Sequence, residues 1–227
     1  MSRIVGVLGG MGPVATTVFM SRVQALTPAR GDAEHLHLLV DCNPRVPGLG
    51  VAGEPGGDTG ETLAAMARGL ARQGAQLLVM PCNTAHAWAG AITSAVDLPF
   101  LNLIEAVADA AMAERPARVR LLAADGCLRA GLYQTAFAAR GVAVETPTPA
   151  GQGALMDLIH RIKAGDVGPT ARRAMQEQAE DLIARGADAV IAGCTEVPLA
   201  LSPADVAVPL IDSIEALAAR TVAAAMA

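Results

Sequence analysis

Short apolar runs recur along the chain at 3–8, 35–41, 76–81, 98–102, 118–123, 142–146, 188–192 and 208–211, mostly bounded by Gly, Pro or Asn. They are too short for helices and predict buried parallel strands. Between them lie Ala-rich stretches with helical spacing, among them Glu61 to Arg72, Ala154 to Lys163, Thr170 to Arg185 and Ser213 to Met226. The alternation predicts βα units and an α/β fold.

The pattern also repeats. Gly74-Ala75-Gln76-Leu77-Leu78-Val79-Met80-Pro81-Cys82 matches Gly186-Ala187-Asp188-Ala189-Val190-Ile191-Ala192-Gly193-Cys194 at a constant offset of 112. Leu98-Pro99-Phe100-Leu101 with Ile104-Glu105-Ala106 matches Val208-Pro209-Leu210-Ile211 with Ile214-Glu215-Ala216 at an offset of 110, and the run Ile4 to Leu8 corresponds to Val119 to Ala123. The duplication predicts two pseudo-symmetric lobes, each a four-stranded parallel sheet flanked by helices. One lobe is expected to hold residues 1–98 plus 210–227 and the other 99–209. Ligands of open α/β sheets bind at the carboxyl ends of strands. The active site is therefore expected in the cleft between the lobes, with Cys82 and Cys194 facing each other there.

Composition narrows the function. Over 227 residues, 52% are apolar and 17% charged, as in a compact globular protein. Seventeen basic against 22 acidic residues give a net charge of −5 with no Lys/Arg block, which argues against nucleic acid as a partner. The few aromatics are scattered singly and build no base-stacking platform. No run reaches a membrane span and the apolar N-terminus is too short for a signal peptide, so a cytoplasmic protein without membrane association is expected. Cys42, Cys82, Cys127 and Cys194 show no C-x-x-C spacing and are expected to be thiols. A small polar ligand fits this profile.

The paired cysteines suggest the chemistry. Inverting a Cα centre takes one group that removes a proton from one face and another that delivers a proton to the opposite face. A thiolate/thiol pair can do both near neutral pH, the more so where a helix start lowers the thiol pKa. Both cysteines precede a predicted helix or turn. Asn83 and Thr84 beside one and Thr195 beside the other offer donors for an α-carboxylate, and backbone N–H groups there would stabilise developing negative charge. A single cysteine is usually a small core residue. Two at matched positions of a duplication, each followed by polar residues, favour catalysis, whereas Cys42 and Cys127 lack a matched setting and are read as structural.

The motifs Gly9-Gly10-Met11-Gly12-Pro13, Pro81-Cys82-Asn83-Thr84-Ala85-His86 and Gly193-Cys194-Thr195-Glu196 resemble the signatures of the aspartate/glutamate racemase superfamily, in its aspartate branch. The resemblance spans nearly the whole chain. It implies a pseudo-symmetric two-lobe fold, a homodimer, no pyridoxal phosphate or metal, and Cys82 and Cys194 as the two proton carriers on an amino acid. Met11, Asn83, Thr84, Ala85, Lys163 and Thr195 are the expected substrate-binding residues, with Glu196, His86 and Arg45 in support. Lys163, in Ile162-Lys163-Ala164-Gly165, corresponds to the lysine that holds the distal carboxylate of aspartate. Gly48 and Leu49 stand where the branch carries an arginine for the same carboxylate, which leaves Arg45 as the nearby guanidinium. Ala124 and Cys127 stand where it usually carries threonines.

Three other readings fit parts of the pattern. The glycines after the first strand, with Asp41 ending the second, suggest a dinucleotide site, but their spacing is not G-x-G-x-x-G. They fit a backbone approaching a small substrate, with Pro13 opening the next helix and Met11 lining the pocket. The second reading, within the same cleft, is a one-cysteine enzyme such as a maleate cis–trans isomerase or an arylmalonate decarboxylase; two thiols with Asn83-Thr84 favour proton shuttling. The third is a catalytically inactive binding homologue, motivated by the absent arginine and threonines. His86 lies one helical turn after Cys82, a spacing any helix face provides, while a carboxylate at Glu196 would raise the neighbouring thiol pKa. His35, His37 and His160 show no metal-ligand spacing.

Overall fold

The computed structural model describes residues 2–48 and 58–227. Among them, eight strands form two four-stranded, all-parallel sheets with helices against them. The chain divides into two compact units, Met1–Ala106 with Ile214–Ala227, and Val107–Ser213.

In the first unit, β1 (Val5–Gly9), β2 (Leu38–Cys42), β3 (Leu77–Val79) and β4 (Phe100–Leu101) lie in the order β2-β1-β3-β4. In the second, β5 (Val119–Leu122), β6 (Val144–Glu145), β7 (Ala189–Ala192) and β8 (Leu210–Asp212) lie in the same order, β6-β5-β7-β8. The inner strands β1, β3, β5 and β7 are buried at every residue, which is why they read as apolar runs, broken only by Arg120 in β5, whose guanidinium pairs with Glu145 and the Arg185 carbonyl. The edge strands are only partly covered.

The duplication extends to individual hydrogen bonds. The Ile4 N–H donates to the side chain of Gln76 at 2.8 Å, and the Arg118 N–H donates to the side chain of Asp188, 112 residues after Gln76, also at 2.8 Å. Leu78 N–H meets the Pro99 carbonyl as Val190 N–H meets that of Pro209. Gly74 and Gly186, with φ of +99° and +93°, take equivalent left-handed turns after α2 (Thr59–Arg72) and α8 (Pro169–Ala184).

Helix boundaries follow their caps. Asp58 accepts from the Glu61 N–H at the start of α2, and Thr148 accepts from the Gly151 N–H at the start of α7 (Pro149–Lys163). Proline opens α1 (Pro13–Leu26), α7 and α8. No helix among the described residues is long and apolar enough to cross a membrane.

The expected lobe boundaries need correction. Phe100–Leu101 pairs with β3 and so completes the first sheet, and Leu210–Asp212 pairs with β7 and completes the second. Each crossing falls after the fourth strand, within α4 (Leu103–Ala113) or at the start of α10 (Ser213–Met226), and not before that strand. A helix lying between sequence-adjacent strands of different sheets carries no apolar signature saying which sheet it leaves.

Candidate active site

The first unit gathers three loops at the carboxyl edge of its sheet. After β1 the chain turns through Gly10, whose φ is +97° and whose hypothetical Cβ would lie 2.4–2.5 Å from backbone atoms of Asn43 in the loop after β2. Thr16 clamps this turn by accepting from the Gly10 N–H at 2.9 Å. The glycines thus serve close backbone packing between two loops. Gly10→Ala is expected to cost about 3 kcal/mol, because both the left-handed φ and the contact with backbone oppose a side chain; urea denaturation with an unchanged m-value is the check.

Cys82 follows β3 and is 5% exposed. It packs in one apolar cluster with Leu8, Met66, Met80 and Ala85, against which Met11 also rests. Asn83 and Thr84 beside it are buried polar residues. Met11, Cys82 and Ala85 therefore share a single neighbourhood. Arg45 is exposed in the turn after β2, its N–H donating to the side chain of Asn43. Leu49, at the expected arginine position, lies outside the described residues, and Gly48 is exposed.

His86 has a role the sequence did not announce. Its Nδ1 donates to the Cys82 carbonyl at 2.7 Å, while its Nε2 accepts the Leu103 N–H at 3.0 Å. The Leu103 contact fixes the tautomer, since Nε2 must offer a lone pair. Burial lowers its pKa from 6.5 to about 4, against the opposing pull of the Cys82 hydrogen bond. The ring also sits against Phe100, with centroids 5.5 Å apart. His86 is therefore a neutral strut between the Cys82 loop and the start of α4; with both nitrogens occupied by backbone groups, it is not placed to exchange protons with a thiol.

In the second unit, Cys194 follows β7 and is 6% exposed. Its Sγ–H donates to Glu196 Oε2 at 2.9 Å, and the Thr195 hydroxyl donates to the same oxygen at 3.2 Å. Burial, then the charge of Glu196 and its hydrogen bond, push the Cys194 thiol well above the usual thiol range. The charge of Lys163 and the Glu196 backbone N–H pull the other way. Lys163 is exposed at the end of α7, 31 positions before Cys194, and its charge opposes the upward shift of the thiol.

The expectation that a helix start depresses the thiol pKa is not met at Cys194. Cys82 leads into the 3-10 segment Thr84–Trp88, and Cys194 into the single-turn helix α9 (Val197–Ala200). Neither supplies the aligned peptide dipoles of a longer helix, and at Cys194 burial and Glu196 decide the direction.

Nothing in the sequence singles out Tyr133. It is fully buried in α6 (Leu132–Ala138), and its ring would lie 3.1 Å from a Cβ at Gly193. Burial, then negative charge on Cys127, Cys194 and Asp212, raise its phenol well above the ordinary range. Cys127, buried in α5 (Asp125–Arg129), thus shares surroundings with the Cys194 neighbourhood. All four cysteines are thiols, not half-cystines. Among the described residues no three His, Cys, Asp or Glu side chains converge as a metal site would require.

Glu196→Gln should lower the Cys194 pKa, since it removes the nearby negative charge and leaves burial as the main force holding the thiol up. At a fixed pH, Cys194 should then be alkylated faster by iodoacetamide, read peptide by peptide in the mass spectrometer. An unchanged alkylation pH profile would mean that Glu196 does not control this thiol.

The sequence model of the Asp/Glu/Hydantoin racemase family matches residues 8–221. The broad specificity amino-acid racemase RacX of Bacillus subtilis is 28% identical over 232 residues, covering 99% of each chain. The glutamate racemase of Pseudomonas aeruginosa is 34% identical over 151 residues, 61% of this chain and 54% of that protein. Among solved structures, the Picrophilus torridus aspartate racemase superposes with a TM-score of 0.88 at 29% identity, covering 99% of this chain and 94% of its own. The chain belongs to the Asp/Glu/Hydantoin racemase family. It is accordingly an enzyme of the isomerase class, a racemase.

Proposed function

We propose that this chain is a cofactor-independent amino-acid racemase of the aspartate type that works through two bases, Cys82 and Cys194. The observation that supports it best is their equivalence: two buried thiols stand at the same place after β3 and β7 in two copies of one strand-and-loop unit. In this reading the thiolate of one cysteine takes the α-proton, leaving a carbanion whose charge spreads into the α-carboxylate. The thiol of the other then donates its proton to the opposite face. Asn83, Thr84 and Thr195 are the donors that hold the carboxylate. Cys194, held protonated beside Glu196, is the thiol loaded for donation; when it must act as base, the Glu196 carboxylate is within reach to take its proton.

Aspartate is the favoured substrate because Lys163 brings a cation to the second thiol's surroundings and because a full-length structural relative is an aspartate racemase. A broader range of amino acids is the second reading. It is favoured by Ala124 and Cys127, which offer no hydroxyls beside Asp125, and by the full-length resemblance to a broad specificity racemase.

Incubation in D₂O with each enantiomer of aspartate, glutamate and several neutral amino acids, followed by NMR, separates these readings. Loss of the Cα proton with inversion, fastest for aspartate, is expected. Comparable rates for neutral amino acids would favour the broad range, and saturable binding without exchange would reduce the protein to a binding homologue. Absence of exchange with every amino acid would remove the racemase reading for these substrates.

A further inference from the structure

The first unit holds a cavity whose lining does not include Cys82 or its neighbours in the loop after β3. It has a volume of about 550 Å³ and runs between one face of α1 and the segment that leads into β2. Because α1 starts at the carboxyl edge of the sheet and runs back toward its amino edge, residues 20–24 and 32–38 lie toward the edge opposite Cys82.

Its walls are chemically uneven. Met20 and Leu36 supply apolar surface, Met20 being 37% exposed. Ser21, Gln24, Asp32 and His35 supply polar atoms. His35 Nδ1 is buried without a hydrogen-bond partner, a situation that costs free energy unless something fills it. The Asp32 carboxylate is engaged in no ion pair with a described residue. No lysine or arginine lines the space.

We propose that this cavity binds a small primary amine with an apolar body about the size of a leucine side chain. Its volume falls within the range of small-molecule sites, roughly 300–1,000 Å³. The ammonium would donate to Asp32 and to His35 Nδ1, in the tautomer that carries its proton on Nε2, while the hydrocarbon covers Met20 and Leu36. An amino acid is a poor fit, because its carboxylate would enter a cavity with one carboxylate and no cation to receive it. The site therefore selects against the proposed substrate and in favour of amines that lack a carboxylate.

The test uses the full chain with methyl-labelled methionine and three probes of one shape: isoamylamine, isoamyl alcohol and isovalerate. A saturable shift of the Met20 methyl with the amine, weaker with the alcohol and absent with isovalerate, is expected. Asp32→Asn should weaken amine binding about fivefold, as befits an exposed charge pair. His35→Phe should weaken it further, and neither variant should change the racemisation rate. Equal responses to all three probes, or none to the amine, would overturn the proposal. So would a Met20 shift that follows protein concentration and not amine, since that would assign the groove to a second copy of the chain.

Discussion

Cys82→Ala and Cys194→Ala should each reduce racemisation by at least about 10³-fold, in line with the 10²–10⁴ that one positioned acid or base contributes. The more telling result is what each variant keeps. A single thiolate can still remove the α-proton of the enantiomer that presents its hydrogen to that side, exchange it with solvent, and return deuterium to the same face. Cys82→Ala should therefore exchange one enantiomer without inversion and Cys194→Ala the other. In the intact enzyme the two enantiomers have equal free energy, so kcat/KM must be the same in both directions at every pH and hides any difference between the thiols. The single-thiol variants expose it. With Cys194 as the remaining base, exchange should need a higher pH than for an ordinary thiol, since burial and Glu196 hold it protonated. Full racemisation by either variant would refute the two-base assignment.

Much of this site was legible in the sequence because its logic is repetition. Inner strands buried on both faces are almost wholly apolar, so their runs stand out, and a constant offset of 112 then places Cys82 and Cys194 in equivalent settings without any knowledge of the fold. Glu196 was legible in direction as well, since a carboxylate two residues from a thiol raises its pKa, and the 2.9 Å contact supplies the geometry. The roles of His86 and Tyr133 were not legible. His86 acts on two backbone groups, one four residues before it and one 17 residues after, and backbone groups leave no trace in sequence. Tyr133 reaches Gly193 and the charges of Cys127, Cys194 and Asp212 through tertiary packing alone. The helix-start argument fails at Cys194 for a related reason: a helix or turn after each cysteine is readable from the sequence, but not how short it is.

Stability should fall in acid, with His86 a principal cause. In the unfolded chain the imidazole takes up a proton near 6.5, whereas in the fold it does so only at about 4. Between those values the unfolded state binds more protons, so unfolding is favoured as pH drops. His86 therefore contributes stability that is fully present above 6.5 and is lost as pH falls toward about 4, an effect of about 3 kcal/mol. Protonation does more than place a charge in the core. It turns Nε2 into a donor facing the Leu103 N–H, which breaks the strut and releases the start of α4 from the Cys82 loop. His86→Phe keeps a ring of similar bulk against Phe100 but removes the hydrogen bonds that His86 makes to the Cys82 carbonyl and the Leu103 N–H, at a cost of about 2–5 kcal/mol at neutral pH. Urea denaturation from pH 4.5 to 7.5 should show a lower but flatter stability profile for the variant. The same acid slope in both proteins would place the titrating group elsewhere. If the strut also sets the position of Cys82, racemisation by His86→Phe should be slower at pH 7.5, where the wild-type imidazole is neutral and its protonation cannot be the cause.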